Sequence, residues 1–196
     1  MNIQVVPNDL FVTRIWQFEL GGLAENFAAW ERAIRSWRAE APLPAGRSNR
    51  SGWNSAPTLF DQPIFAPLRD IALQCFRHAI TEMKPTKAIS FGLQAWVNMH
   101  DTGGHNMLHA HPNALLSGCF YLTVPDGSGG IVFRDPRPGV VLTSFPGSGC
   151  NCSNDVGCQP KPGQLYVFPH WLEHRVETNA SQESRIAIAI NAAETK

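Results

Sequence analysis

The chain has 196 residues, of which 43% are hydrophobic, and this is enough to bury one core of ordinary size. Sixteen basic residues balance sixteen acidic ones, so the formal net charge is zero and no electrostatic footprint for nucleic acid or an anionic membrane surface is present. This balance favours a small-molecule or peptide substrate. Because no apolar run reaches membrane-spanning length and the amino terminus does not resemble a signal peptide, we expect a cytoplasmic protein.

The first part of the chain predicts one short strand and two amphipathic helices. Residues 10–20 alternate well enough for a strand, and residues 23–40 place apolar side chains at the three- and four-residue spacing of a helix. Residues 41–57 are rich in Pro, Gly, Ser and Asn, which predicts an irregular segment that presents Trp53. A second helix is predicted over residues 64–84, and either helix could contribute to substrate specificity or to a homodimer contact.

From Ala88 onward the pattern changes to short strands separated by turns. Such strands behind two helices predict a mainly β fold with flanking helices, a double-stranded β-helix barrel of the jelly-roll or cupin kind. We expect a single domain over residues 1–196, with residues 1–87 as a helical support region and residues 88–196 as the barrel core. The strands are predicted at 88–100, 106–112, 115–125, 130–137, 160–169, 170–181 and 184–192.

Three histidines and an arginine carry the chemistry. His109 and His111 are two residues apart in a predicted strand, so both imidazoles can point into one cavity, and His174 on a later strand can join them. Three protein ligands leave coordination positions open, as in a catalytic metal site, although imidazole suits Fe, Zn, Cu and Ni alike. Arg185, at a strand position, needs an anionic partner. The alternative is that these histidines are surface or core residues without a metal.

The other four histidines are weaker candidates for metal ligands. His78 lies in the second predicted helix and is interpreted as structural. His100, His105 and His170 lie near the paired histidines in sequence but lack the two-residue spacing, so their roles stay open.

The five cysteines argue against a disulfide-stapled secreted scaffold, because their number is odd. Cys75 and Cys119 lie among apolar residues and are interpreted as packing residues. Cys150, Cys152 and Cys158 cluster in a Gly- and Ser-rich loop, where they could form a labile disulfide or bind zinc with a fourth ligand from elsewhere. A solvated loop with accessible thiols is the simpler interpretation.

The carboxy-terminal half resembles the Fe(II)- and 2-oxoglutarate-dependent oxygenases, in particular a bacterial and phage branch of them. The segments that carry the resemblance are LHAHPNALLSGCFYLTVP, IVFRDPR, PGQLYVFPHWLEHRV and RIAIAIN. LFVTRIW and SGWNS near the amino terminus extend it to nearly the whole chain. The resemblance implies hydroxylation of a C–H bond coupled to conversion of 2-oxoglutarate to succinate.

The same resemblance implies a metal-ligand set. The usual triad is His-x-Asp/Glu with a distant His, so His109 takes the first position, His111 replaces the carboxylate and His174 takes the last. The third imidazole leaves an Fe(II) site one negative charge short, which affects redox potential and cosubstrate affinity. Asp101 or Glu173 could supply the carboxylate instead, but Glu173 is expected to point away from a site that His174 faces.

Arg185 fits the cosubstrate clamp of these oxygenases, because a guanidinium can hold the distal carboxylate of 2-oxoglutarate through two parallel hydrogen bonds. Tyr121 could add a hydroxyl to that carboxylate, and Asn98 matches a position that binds the metal-proximal carboxylate. Core packing for Tyr121 and a strand-end role for Asn98 are the alternatives. Asn191 shares strand parity with Arg185 and has no assigned role.

Three hypotheses follow from these features. The first is a dioxygenase that uses Fe(II) and 2-oxoglutarate. The second is a three-histidine cupin dioxygenase that binds its substrate directly to the metal, and the missing carboxylate favours it. The third is a non-enzymatic cupin-like module that binds a metal or a ligand. Arg185 and the resemblance on both sides of it favour the first hypothesis.

Overall fold

The computed structural model describes residues 3–43, 48–142 and 153–195. The helices are α1 (Ala24–Glu40), α2 (Ala66–Glu82) and the short α3 (Pro138–Leu142). The strands are β1 (Trp16–Glu19), β2 (Asn49–Arg50), β3 (Trp53–Asn54), β4 (Phe91–His100), β5 (His105–His109), β6 (Leu116–Thr123), β7 (Ile131–Arg134), β8 (Asp155–Cys158), β9 (Gln164–Pro169), β10 (His174–Val176) and β11 (Arg185–Glu194).

The strands form two sheets whose neighbouring strands are all antiparallel. The six-stranded sheet has the order β1-β9-β6-β11-β4-β3, and the five-stranded sheet has the order β2-β5-β10-β7-β8. They meet where the Phe168 ring of β9 packs on the His174 ring of β10, with 4.7 Å between the ring centroids. The prediction of a mainly β fold with flanking helices is confirmed. The boundary at residue 87 stays a prediction, and β1, β2 and β3 from before it join the sheets.

The central strand β11 separates the helix-side core from the interior between the sheets. Its isoleucines at 186, 188 and 190 are fully buried in one core with the α1 and α2 side chains. The alternate residues, Arg185, Ala187, Ala189 and Asn191, therefore face the other way, towards the five-stranded sheet. Because Ala187 and Ala189 are small, this inner face leaves room for a cavity.

Both predicted long helices are confirmed to within two residues at each end. In α1, Trp30 and Ile34 are buried, and the Trp30 indole N–H donates to the Ile64 carbonyl at 2.8 Å. This contact ties α1 to the turn that precedes α2. No helix in the described part of the chain is long and apolar enough to cross a membrane.

Two expectations for the first region are wrong. The first strand spans only Trp16–Glu19, because β9 pairs only with those residues, and Phe11 is 87% exposed. Trp53 is 2% exposed and its indole donates to the Ala41 carbonyl at 2.7 Å, so the segment buries this ring rather than presenting it. Strand pairing in β2 and β3 orders a stretch whose composition is typical of a loop.

Gly118 of β6 allows α2 to pack closely against the six-stranded sheet. A Cβ atom at this position would lie 2.8 Å from the Tyr166 carbonyl oxygen and 3.0 Å from Phe76 Cζ. We expect Gly118→Ala to lower the free energy of unfolding by about 1–3 kcal/mol, as overpacking of a core does. Urea unfolding measures this, with Gly139→Ala, which has open space around it, as the control. Equal midpoints for the two variants would contradict the expectation.

Candidate metal centre

His109, His111 and His174 converge at one place, and their ligand nitrogens all lie within 4.8 Å of one another. His109 ends β5 and His174 begins β10, where the two residues are paired in register. His111 lies just beyond the end of β5, which corrects the expectation that it shares a strand with His109. Its backbone N–H donates to the His170 carbonyl at 2.9 Å, and this bond fixes the turn that returns its ring to the cluster.

Two of the three imidazoles are held by backbone carbonyls. His109 Nδ1 lies 2.7 Å from the Met107 oxygen and His174 Nδ1 lies 2.9 Å from the Leu172 oxygen. Because a carbonyl can only accept, each Nδ1 must carry the hydrogen. The Nε2 lone pairs of His109 and His174 are therefore available to a metal. His111 Nε2 completes the cluster, 3.3 Å from His174 Nε2.

Burial favours the neutral form of the His109 and His174 imidazoles, which is the form that binds a metal. It lowers the pKa of His174 to about 3, and the neighbouring His109 adds to this effect. The pKa of His109 is also lowered, chiefly by burial. Protonation of His109 and His174 therefore does not compete with metal binding at neutral pH.

The two carboxylates considered as ligands are engaged elsewhere. Asp101 pairs with Arg38 at 2.6 Å and accepts a hydrogen bond from the Ser184 hydroxyl. Glu173 lies 3.7 Å from Arg134 with its side chain half exposed, consistent with its expected direction away from the site. Within the described ranges no carboxylate joins the three histidines.

A cavity of about 390 Å³ adjoins the histidines. It lies between the two sheets and is lined by Trp96, Asn98, Cys119, Phe168 and Asn191 together with residues of β5, β7 and β10. The described lining residues include no Asp, Glu, Lys or Arg. The interior next to the candidate metal centre is thus polar through amide and imidazole groups rather than through charge.

Arg185 is buried without an anionic partner. Its side chain is 1% exposed, and its Nη1 donates to the carbonyls of Ser128 at 2.7 Å and Gly129 at 3.2 Å. Its Nη2 lies 2.8 Å from His100 Nδ1, while Nε has no partner. No described carboxylate forms an ion pair with it. Burial lowers the pKa of the guanidinium, which reflects the cost of holding this charge away from water.

Tyr121 lies close to this guanidinium, and Asn98 lies on the same inner face of the sheet. The Tyr121 hydroxyl is buried with no hydrogen-bond partner of good geometry, and burial raises its pKa well above the ordinary value. Asn98 lies two residues before His100 on β4, so both side chains face the same side of the sheet. His100 pairs in register with Arg185, and Asn98 lines the cavity. The structure thus brings Tyr121 and Arg185 together behind the cavity and places Asn98 at its wall, whereas Arg185 itself is not a lining residue.

His100 is a residue whose role the sequence left open. Burial, and then the Arg185 charge, lower its pKa to about 3, so a neutral His100 accepts the guanidinium N–H at Nδ1. His105 and His170 stay outside the ligand cluster. His100 and Arg185 are 85 residues apart and meet because β4 and β11 pair in antiparallel register. The local sequence around either residue does not indicate this pairing.

Of the clustered cysteines, Cys158 is described and lies in β8 as a free thiol, while Cys150 and Cys152 lie outside the described residues. Cys75 and Cys119 are also free. Cys75 packs in the helix-side core as expected, and Cys119 lines the cavity.

Two antiparallel sheets enclose three imidazoles that could together bind one metal ion. The chain belongs to the 2OG-Fe(II) oxygenase family: the family model described as "Putative 2OG-Fe(II) oxygenase" matches residues 94–191, which is half of the chain. It is therefore an enzyme that depends on Fe(II) and 2-oxoglutarate. This supports the first of the three hypotheses, while the narrower bacterial and phage branch stays a prediction.

Solved structures show the same fold. A prolyl-4-hydroxylase from Pseudomonas putida is similar at a TM-score of 0.66 and 16% identity, with 94% of each chain covered. HygX from Streptomyces hygroscopicus, with nickel and 2-oxoglutarate bound, has a TM-score of 0.64 and 10% identity over 93% of this chain and 84% of its own. A prolyl hydroxylase from Trichoplax adhaerens, in complex with a hypoxia-inducible-factor peptide, has a TM-score of 0.62 and 13% identity over 92% and 83%. A search of curated protein sequences finds no match.

Proposed function

We propose that the enzyme hydroxylates a small-molecule or peptide substrate with Fe(II) held by His109, His111 and His174. The observation that carries this proposal is the convergence of three imidazole nitrogens within 4.8 Å of one another beside a cavity of about 390 Å³. Three neutral nitrogen ligands fit Fe(II) and leave positions for a cosubstrate and oxygen. The carboxylate of 2-oxoglutarate would then supply negative charge that the third imidazole does not.

We further propose that Arg185 and Tyr121 bind the distal carboxylate of 2-oxoglutarate. A buried guanidinium without a counter-ion is costly, and a bound carboxylate would compensate it. Because Nη1 already donates to two carbonyls, the carboxylate would meet Nε–H and the Tyr121 hydroxyl, neither of which has a hydrogen-bond partner of good geometry. In a guanidinium the second hydrogen of Nη2 can lie parallel to Nε–H, so the predicted contact through two parallel N–H groups stays a prediction.

Asn98 is proposed to bind the metal-proximal carboxylate. It lies two residues before His100 on β4, which is the next inward-facing position along the strand. Asn98 lines the cavity, whereas His100 and Arg185 do not. Successive inward-facing residues are about 7 Å apart, which suits the two ends of a short dicarboxylate. The Asn98 amide would supply a donor there and orient the cosubstrate.

With oxygen, the bound Fe(II) and 2-oxoglutarate supply the oxidation that hydroxylates a C–H bond, and 2-oxoglutarate leaves as succinate and carbon dioxide. The chain's own residues bind and orient the reactants and exclude water. Phe168 packs against His174 and Trp96 lies 6.0 Å from His111 between ring centroids, so aromatic walls shield one side of the metal centre. Trp171, which is 47% exposed, and Phe120, which belongs to the helix-side core, are not among the described residues that line the cavity.

The lining favours an uncharged substrate group next to the metal, since none of the described lining residues could compensate a charge. Among the similar structures, one holds a peptide and another holds hygromycin B, and both kinds of ligand are consistent with this proposal. The zero net charge of the sequence supports a substrate other than nucleic acid or membrane. A homodimer and a cytoplasmic location stay predictions.

Succinate formation tests this function. Purified protein with Fe(II), ascorbate, 2-oxoglutarate and oxygen is expected to form succinate above the level of the chelator-treated protein. His109→Ala should lower the rate to that background, whereas His105→Ala, which changes a histidine outside the cluster, should not. The proposal fails if the iron-loaded wild type neither binds 2-oxoglutarate nor converts it.

A further inference from the structure

His111 is held differently from the other two histidines of the cluster. His109 and His174 each donate from Nδ1 to a backbone carbonyl, which fixes one tautomer. His111 Nδ1 instead lies 3.4 Å from the side-chain amide nitrogen of Asn191. An amide can donate through its nitrogen or accept through its oxygen, so this contact is compatible with either tautomer of His111.

A connected set of hydrogen bonds selects one tautomer in the absence of metal. Because His174 Nδ1 carries a hydrogen, its Nε2 can only accept, and His111 Nε2 at 3.3 Å must donate to it. His111 Nδ1 is then an acceptor for the Asn191 amide N–H. The Asn191 oxygen in turn accepts from the Ser117 hydroxyl at 2.9 Å.

Metal binding at this cluster requires the opposite tautomer of His111. Its Nε2 must present a lone pair, so the hydrogen moves to Nδ1, which then needs an acceptor. If the Asn191 amide is turned end for end, its oxygen accepts from Nδ1–H and its nitrogen donates to the Ser117 oxygen. The hydroxyl of Ser117 can rotate and serve as either donor or acceptor, so the contacts from His111 to Asn191 and from Asn191 to Ser117 can form in both states.

We propose that Asn191, supported by Ser117, is a positioning residue that sets the tautomer of His111 and thereby the affinity of the metal site. This inference rests on the proposed function of the three histidines. Asn191 is well placed for it, because it lies in β11 directly opposite Ser117 of β6, and Ser117 is 1% exposed. Because His111 can adopt either tautomer, the three histidines would be hydrogen-bonded without metal. They could also bind a metal ion without losing a proton to solvent.

The tautomers can be observed directly by long-range ¹H–¹⁵N correlation NMR of the histidine rings at pH 8. In the metal-free protein we expect the ring hydrogen of His111 on Nε2 and those of His109 and His174 on Nδ1. After addition of Zn(II), which is diamagnetic, all three hydrogens should be on Nδ1. A metal-free wild type with the His111 hydrogen already on Nδ1 would overturn the inference.

Substitutions at Asn191 provide the second readout, Zn(II) affinity by competition with a chromophoric chelator. Asn191→Leu, which can neither donate nor accept, is expected to weaken binding about 10–100-fold, as loss of the group that orients a ligand does. Asn191→Asp, a fixed acceptor, should bind at least as tightly as wild type. Gln94→Leu is the matched control, because Gln94 pairs with Asn191 in register but is exposed.

The outcomes separate this inference from the proposed function. Zn(II) binding that is equal in wild type and Asn191→Leu overturns the role of Asn191 alone and leaves the three-histidine site in place. A wild type that binds no Zn(II) overturns both. If Asn191→Leu is poorly folded, the comparison of Asn191→Asp with wild type still decides, since weaker binding by the aspartate variant contradicts the inference.

Discussion

Replacement of His174 by alanine is expected to weaken Fe(II) binding by at least about 100-fold and to lower succinate formation to background. Loss of a group that only orients a metal ligand costs about 10–100-fold, and loss of the ligand itself should cost more. His174 is the most constrained member of the cluster, since it is 4% exposed and is bonded at both ring nitrogens. Calorimetric titration with Fe(II) under anaerobic conditions measures the effect.

The matched variants for this prediction are His105→Ala and His111→Asp. The first removes a histidine outside the cluster and should bind Fe(II) like wild type. The second restores the His-x-Asp pattern that the family usually has, so it should keep Fe(II) binding while His111→Ala loses it. Fe(II) affinity in His174→Ala equal to that of His105→Ala would contradict the proposed metal centre.

Replacement of Arg185 by glutamine is expected to raise the dissociation constant of 2-oxoglutarate by about 100-fold or more. Removal of one partner of a buried charge pair costs about 2–5 kcal/mol, and each 1.4 kcal/mol is a factor of ten. Fe(II) affinity should stay within about threefold, because Arg185 lies outside the histidine cluster. This separation of the two affinities distinguishes a cosubstrate role from general damage to the fold.

Two further variants guard against misfolding at this buried position. Arg185→Lys keeps the charge but loses the fork that binds the Ser128 and Gly129 carbonyls, so an intermediate affinity is expected. Tyr121→Phe removes only the hydroxyl and should weaken 2-oxoglutarate binding by up to about tenfold. Unchanged 2-oxoglutarate affinity in folded Arg185→Gln would contradict the proposed clamp.

The local elements were predictable from the sequence because their periodicity is a local property. The apolar spacing in residues 23–40 and 64–84 predicts α1 and α2 nearly to their ends. The alternation in RIAIAIN predicts β11 with Arg185 and Asn191 on one face. The same alternation places the small residues Ala187 and Ala189 on the inner face, where they leave space between the sheets.

The position of His111 shows a signal that was available in the sequence. Pro112 follows it directly, and a residue before proline is restricted while proline cannot donate to a sheet. Asn113 then has a φ of 71°, a left-handed turn conformation that asparagine adopts readily. Together these residues end the strand at His109, and the His111 ring reaches the cluster from a turn.

The partners of Arg185 and His111 could not be predicted from the sequence. They depend on the pairing of β11 with β4 and β6, and the bonded residues are 85 positions apart for His100 and 80 for Asn191. The alternation of apolar and polar residues predicts which face of a sheet a side chain occupies, but it does not predict which strand is the neighbour. The same holds for the Ser128 and Gly129 carbonyls that fix the guanidinium.

The most direct measurement is an anaerobic titration of the Fe(II)-loaded protein with 2-oxoglutarate, followed by visible absorption. We expect a weak metal-to-ligand charge-transfer band that saturates with 2-oxoglutarate, and a shift of its midpoint to much higher concentration in Arg185→Gln. Saturation with equal midpoints would refute the role of Arg185. Absence of the band in protein with Fe(II) bound would contradict the central claim that these histidines hold iron for 2-oxoglutarate chemistry.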